Sequence, residues 1–193
     1  MTSDEILNHF RRTNALLDGH FVLSSGRHSP AYLQCALALQ QPVDALRFGQ
    51  EIARRVSEPE KIDTVASPAI GGLVIGLETA SSLGKRFIWT EREAGAMSLR
   101  RGFTLTAAER ILVVEDVITT GGSTRECIAA LQKGGGEVVS AASIIDRSAG
   151  AADVGVPRIS LGSVDVPSYS PDECPLCIAG TPAVKPGSRT IYP

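Results

Sequence analysis

"ILVVEDVITTGGST", residues 111–124, decides how the rest of the chain is read. Ile111 to Val114 form an apolar run that leads into two acids, as expected of a strand buried on both faces of a sheet. It runs into Glu115 and Asp116, then into Thr119, Thr120, Gly121, Gly122, Ser123 and Thr124. The glycines let the backbone come close to an anion. The hydroxyls add donors, and the helix expected to start there has an N-terminus that favours negative charge. The loop therefore suits a phosphate. The two acids would repel a phosphate, but they suit the hydroxyls of a sugar attached to it, or a magnesium ion. Phosphate at the loop and sugar at the acids describe a ribose 5-phosphate. The string is neither a Walker loop nor a dinucleotide fingerprint, since it lacks Gly-Lys-Ser/Thr and G-x-G-x-x-G.

Outward from this stretch, apolar runs alternate with helical patterns. "IDTVAS" (62–67) reads as a strand, "PAIGG" as a breaker and "LVIGLETASSL" as a helix. "KRFIWTE" reads as a strand, "TRECIAALQKGG" as a helix stopped by glycines, and "EVVSAASIID" as a further strand. This alternation predicts an α/β fold with a central, mostly parallel sheet flanked by helices. In such sheets ligands bind beyond the carboxyl ends of the strands, where Glu115 and Asp116 fall. Before this core, a capping-box spacing (Thr2, Glu5) predicts a helix over 3–17. Two short strands around "SSGRHSP" follow, then a helix opened by Pro42. The tail, rich in Pro, Gly and Ser, reads as irregular.

With 193 residues and 43% hydrophobic content, one domain with a small appended lobe is expected. Nineteen basic against 21 acidic residues give a net charge of −2, which argues against a nucleic-acid partner. Neither a signal peptide nor a membrane span is visible, so a cytoplasmic protein is expected. Four cysteines are too few for a disulfide scaffold at this length. Cys35 and Cys127 read as core residues. Cys174 and Cys177 form "CPLC", half of a zinc site or a redox pair. The tail around them has no histidine, and His9, His20 and His28 are all N-terminal, so the balance is against zinc.

Residues 111–124 closely resemble the phosphoribosyl-pyrophosphate (PRPP) motif of type I phosphoribosyltransferases. "LSSGRHSPAYL" (23–33) is similar to a segment of the family's orotate-using members, and the likeness extends along nearly the whole chain through "SPAIGG", the 91–103 loop and "IIDRSAG". The resemblance implies a type I fold, with a hood lobe from about residue 1 to 40 plus part of the C-terminal tail. It implies transfer of the phosphoribosyl group of PRPP to orotate, giving orotidine 5′-monophosphate and diphosphate in pyrimidine synthesis. It further implies Mg2+, carried mainly on PRPP and near Glu115 and Asp116, with no direct protein-bound metal, and a homodimer.

Residue by residue, the resemblance puts Ala69, Ile70 and Gly71 at the diphosphate and Glu115 and Asp116 at the ribose. Thr119 to Thr124 hold the 5-phosphate, and Val117 and Ile118 also fall at the PRPP. Thr119, Arg147, Tyr32 and Ser25 fall at the orotate. Arg92, Arg100 and Arg101 fall on the catalytic loop. The chain departs from the family's pattern where many members carry lysines or a histidine: it has Ser24, Gly71, Gly95 and Met97 instead. Arginine clamps a diphosphate well but does not give up its proton at neutral pH, so the loop is expected to act electrostatically. Two alternatives stay open: a transferase for a purine or uracil, and a non-catalytic PRPP-sensing regulator that binds nucleic acid.

Overall fold

The structure is a computed structural model describing residues 1–23 and 26–186. Ser24 and Ser25, the latter expected at the orotate, lie outside the described residues. The chain runs α1 (Ser3–Arg12), β1 (Leu16–Val22), β2 (His28–Leu33), α2 (Cys35–Ala38) and α3 (Pro42–Arg55). It continues with β3 (Thr64–Pro68), α4 (Leu73–Leu83), β4 (Arg86–Glu93) and β5 (Ala96–Leu99). Then come β6 (Arg110–Ile118), α5 (Gly122–Lys133), β7 (Glu137–Asp146), β8 (Arg158–Ser163) and α6 (Pro175–Ile178).

Six strands form one sheet in the order β5-β4-β3-β6-β7-β8. All neighbours are parallel except β4 and β5, which form an antiparallel hairpin at one edge. The α/β fold class expected from the alternation is the one observed. β6 shows why its sequence reads as a continuous apolar run. Leu112 and Val114 join a core with Phe48, Ile52 and Ile75 of α3 and α4, while Ile111 and Val113 join a second core with Cys127 and Leu131 of α5. Both faces are covered, so both sets of alternating side chains must be apolar.

The capping box at Thr2 and Glu5 is present in both directions. The first helix nonetheless ends at Arg12 rather than continuing to 17. Thr13 caps it, Asn14 takes a left-handed φ of 56°, and Leu16 and Leu17 enter β1. β1 pairs antiparallel with β2 as a hairpin outside the main sheet. The tail is less irregular than its composition implies. It supplies β8 and returns to the hairpin through isolated bridges, Phe21 with Val184 and His28 with Tyr169.

α3 and α4 approach closely at Gly49, where an added Cβ would lie 2.5 Å from the Glu78 backbone carbon. Backbone cannot swing aside as a side chain can. Gly49→Ala is therefore expected to destabilise the protein by about 1–3 kcal/mol, even though alanine is the better helix former by about 1 kcal/mol. Thermal melts check this, and an unchanged or raised Tm would refute the close approach.

Candidate active site

The carboxyl ends of β3 and β6, and the loops after them, enclose a cavity of about 330 Å³. Its lining includes Ala69, Gly71, Arg92, Glu115, Asp116, Val117, Ile118 and Thr119 to Thr124. The 111–124 string thus supplies most of one wall. Gly121 caps α5 with φ 74°, a conformation that favours glycine, and the hydroxyl-rich turn leads straight into that helix. The free N–H groups of the first turn of α5 therefore sit in the cavity wall, a favourable place for an anion.

Glu115 and Asp116 stand on successive residues of β6 and so leave the strand toward opposite faces. Burial raises the pKa of both carboxyls, that of Glu115 well above the usual carboxylate range. The neighbouring charge of Asp116 adds to the rise at Glu115. Asp116 Oδ1 also accepts the Val117 backbone N–H at 2.7 Å. Two desolvated acids call for donors or positive charge from a ligand. Sugar hydroxyls or a divalent cation both answer that need.

Across the cavity the loop after β3 turns sharply, with the Ala69–Ile70 peptide in the cis form. At Gly71 a Cβ would meet both Asp116 carboxylate oxygens at 2.9 Å. Glycine here lets the loop backbone pass directly over the acid, and a lysine would have to displace one of them. Ile70 is exposed and lies with Ala69, Trp89, Arg92 and Arg101 around an adjoining hollow.

The 91–103 segment, expected as a loop, is largely the β4–β5 hairpin, turned at Ala94 and Gly95 with φ of 49° and 88°. Arg92 and Met97 are cross-strand partners and both line the main cavity. Each arginine is held by acid: Arg92 by Glu126 of α5, Arg100 by Glu93 at 3.1 Å, and Arg101 by Glu91 at 2.7 and 3.0 Å. Hydrogen bonds, first from Arg101 and then from Trp89, hold the Glu91 carboxyl at about 2. Arg100 lines neither hollow. The structure thus brings Arg92 to the acids and Arg101 to the adjoining space, and leaves Arg100 outside both.

Arg147 follows β7, and its backbone N–H donates to the Ile118 carbonyl at 2.8 Å, fixing it beside Thr119. Its side chain is half-buried, burial lowers its pKa, and its Nε is buried with no hydrogen-bond partner among the described residues. An unpaired buried guanidinium N–H is costly unless a ligand supplies the acceptor. Tyr32 sits on β2, half-buried against Phe21 with ring centroids 5.7 Å apart, and does not line the main cavity.

One neighbour of the acids escapes a reading by sequence position. Cys35 at the start of α2 is hydrogen-bonded to Asp116, and its thiol pKa is raised by burial and by the charges of Asp116 and Glu115. Its apolar neighbourhood fits the core assignment, and it also adjoins Asp116.

Known proteins match this architecture. The phosphoribosyl transferase domain matches residues 45–160. An orotate phosphoribosyltransferase of Novosphingobium aromaticivorans is 51% identical over 191 residues, covering 98% of each chain. One from Pelotomaculum thermopropionicum is also 51% identical, over 99% of this chain and 100% of its own length. The crystal structure of orotate phosphoribosyltransferase from Aeropyrum pernix superposes with a TM-score of 0.70 at 28% identity, covering 82% of this chain and 93% of that one. The sheet order, the acid pair over a hydroxyl-rich loop and these likenesses converge: the chain belongs to the phosphoribosyltransferase family, among its orotate phosphoribosyltransferases.

Proposed function

We propose that the protein transfers the 5-phosphoribosyl group of PRPP to orotate, yielding orotidine 5′-monophosphate and diphosphate for pyrimidine synthesis. The observation that carries this reading is the buried Glu115–Asp116 pair directly preceding an anion-binding turn, within a chain about half identical to orotate phosphoribosyltransferases. In this reading the turn from Thr119 to Thr124 holds the 5-phosphate. Glu115 and Asp116 accept hydrogen bonds from the ribose hydroxyls. The backbone at Ala69, Ile70 and Gly71 faces the diphosphate, and Arg147 with Thr119 receives the orotate carboxylate.

The bond from ribose C1 to diphosphate breaks, and a bond from C1 to the anionic pyrimidine nitrogen forms on the opposite face. Positive charge develops on the ribose ring, and the Glu115–Asp116 pair is placed to stabilise it. Negative charge develops on the diphosphate. Arg92 and Arg101 can turn from Glu126 and Glu91 to meet it, a charge-assisted contact that strengthens as water leaves. Magnesium bound to PRPP offsets part of the leaving-group charge. The buried acid pair fits such an ion as well as it fits hydroxyls. Orientation of the two substrates supplies much of the remaining acceleration.

A homodimer accords with the exposed Val43 and Leu46 on α3 and Val74 and Leu77 on α4, apolar surface on two neighbouring helices. Sedimentation of the purified protein tests it. No helix among the described residues is long and apolar enough to cross a membrane, and we place the enzyme in the cytoplasm.

Diphosphate release from PRPP is the direct assay. It should require orotate and stay near background with adenine, guanine, hypoxanthine or uracil. Preference for any of those bases would overturn the orotate assignment. Salt-sensitive RNA or DNA binding without turnover would instead favour a regulator.

A further inference from the structure

We propose that His20, His28, Cys174 and Cys177 form a structural zinc site that fastens the C-terminal tail to the β1–β2 hairpin. The cysteines come from the short "CPLC" segment around the start of α6, and the histidines from the two strands of the hairpin. No pattern in the tail alone shows this, because the second pair of ligands lies about 150 residues away, as the separations of 154 and 149 show. The fold closes that gap through the tail bridges, Phe21 with Val184 and His28 with Tyr169.

One potential ligand atom from each residue lies within 4.8 Å of all the others. His20 Nε2 is 2.8 Å from His28 Nδ1, 3.5 Å from Cys174 Sγ and 3.7 Å from Cys177 Sγ. His28 Nδ1 is 3.2 Å from Cys177 Sγ. Tetrahedral zinc, with Zn–N of about 2.0–2.1 Å and Zn–S of about 2.3 Å, sets its ligand atoms roughly 3.3–3.8 Å apart. The cluster is a slightly contracted version of that shape, and small outward shifts would admit the ion.

A separate observation fixes the ligand chemistry. His20 Nδ1 lies 2.8 Å from the Thr181 carbonyl oxygen. A carbonyl can only accept, so Nδ1 carries the proton and Nε2 turns its lone pair toward the two sulfurs and His28. A metal-binding histidine is commonly oriented by such a bond from its other nitrogen to a backbone carbonyl. Here the carbonyl belongs to the same tail segment that brings the cysteines.

Two thiolates and two imidazoles in a tetrahedral arrangement select zinc over magnesium or calcium, which prefer oxygen. All four positions come from the protein, which is the pattern of a structural rather than a catalytic centre. Cys174 and His20 are buried while Cys177 is exposed, so exchange with solution would pass by Cys177. The cluster shares no residue with the cavity at β6, and the proposal stands whether or not the transfer reaction is confirmed.

The test uses the full chain, purified under reducing conditions without a chelator or a histidine tag. Elemental analysis should find about one zinc per chain. Replacing zinc by cobalt should give tetrahedral d–d absorption with thiolate charge-transfer bands. Cys177→Ser should lose that spectrum and most of the zinc, and its Tm should drop by about 5–10 °C. If that variant fails to fold, titration of the wild-type protein with a mercurial should release zinc in step with two thiols. Less than about a tenth of an equivalent of zinc, with no rise in Tm when zinc is added to reduced protein, would overturn the proposal. So would a Cys174–Cys177 disulfide recovered in place of the metal.

Discussion

Asp116→Asn should lower kcat by about 10²–10³, the usual effect of removing one preorganised charge that acts in the transition state. The amide keeps the shape of the carboxylate, and its carbonyl oxygen can still accept the Val117 N–H. It loses the negative charge that faces the developing positive charge of the ribose. Binding of PRPP should weaken much less, because the turn from Thr119 to Thr124 retains the phosphate.

The same substitution should raise the Tm of the free protein. Burial raises the pKa of Asp116 above its usual value, so the ionised form is disfavoured in the folded state. For an acid whose folded pKa is raised, stability is greatest at low pH. It declines as pH rises from the unfolded pKa through the folded one. The advantage of Asp116→Asn should therefore grow from mildly acid to neutral pH. A loss of activity accompanied by a gain of stability distinguishes a functional charge from a structural one. Turnover within a few-fold of wild type, or a Tm lowered at pH 7, would defeat this account.

How far the sequence discloses the protein depends on whether the relevant contacts are local. Residues 111–124 hold strand, acids, turn and helix start in one continuous run, so the sheet position and the phosphate wall can be read together. The capping box at Thr2 is equally local, spanning Thr2 to Glu5. The end of that helix is not: Leu16 and Leu17 suit a helical face, yet pairing with Leu33 and Tyr32 draws them into β1. β5 is hidden for a related reason. "AMSL" is only four residues long and becomes a strand by pairing with residues 90–93 at an edge. β8 is likewise an edge strand, half-buried at its start, with no sharp alternation to announce it.

Contacts between distant segments were the least legible. Cys35 touches Asp116, and His20 meets Cys174 and Cys177, because topology folds one segment over another. Neither spacing nor composition encodes those pairings. The loop arginines are an intermediate case. Their charge and order suit a diphosphate, but only the structure separates Arg92 and Arg101, which border the two hollows, from Arg100, which does not.

Arg147→Ala should raise the orotate KM by about 10- to 100-fold, the loss of one charge-assisted contact of roughly 1.5–3 kcal/mol. The KM for PRPP should change less than about threefold, since Arg147 lies outside the lining of the phosphate cavity. The guanidinium is half-buried, and its Nε has no partner among the described residues, so the free protein gains little from it. Arg147→Met, which keeps an apolar stem while removing the charge, should match alanine kinetically and preserve the wild-type Tm. Arg147→Lys should fall between, because an ammonium keeps the charge but cannot form two parallel hydrogen bonds to a carboxylate. A uracil analogue without the carboxylate, used as an inhibitor competing with orotate, should bind wild type and Arg147→Met equally well. That last comparison isolates the contact: if the variant were equally impaired toward both bases, or toward PRPP and orotate alike, the guanidinium would not be reading the carboxylate.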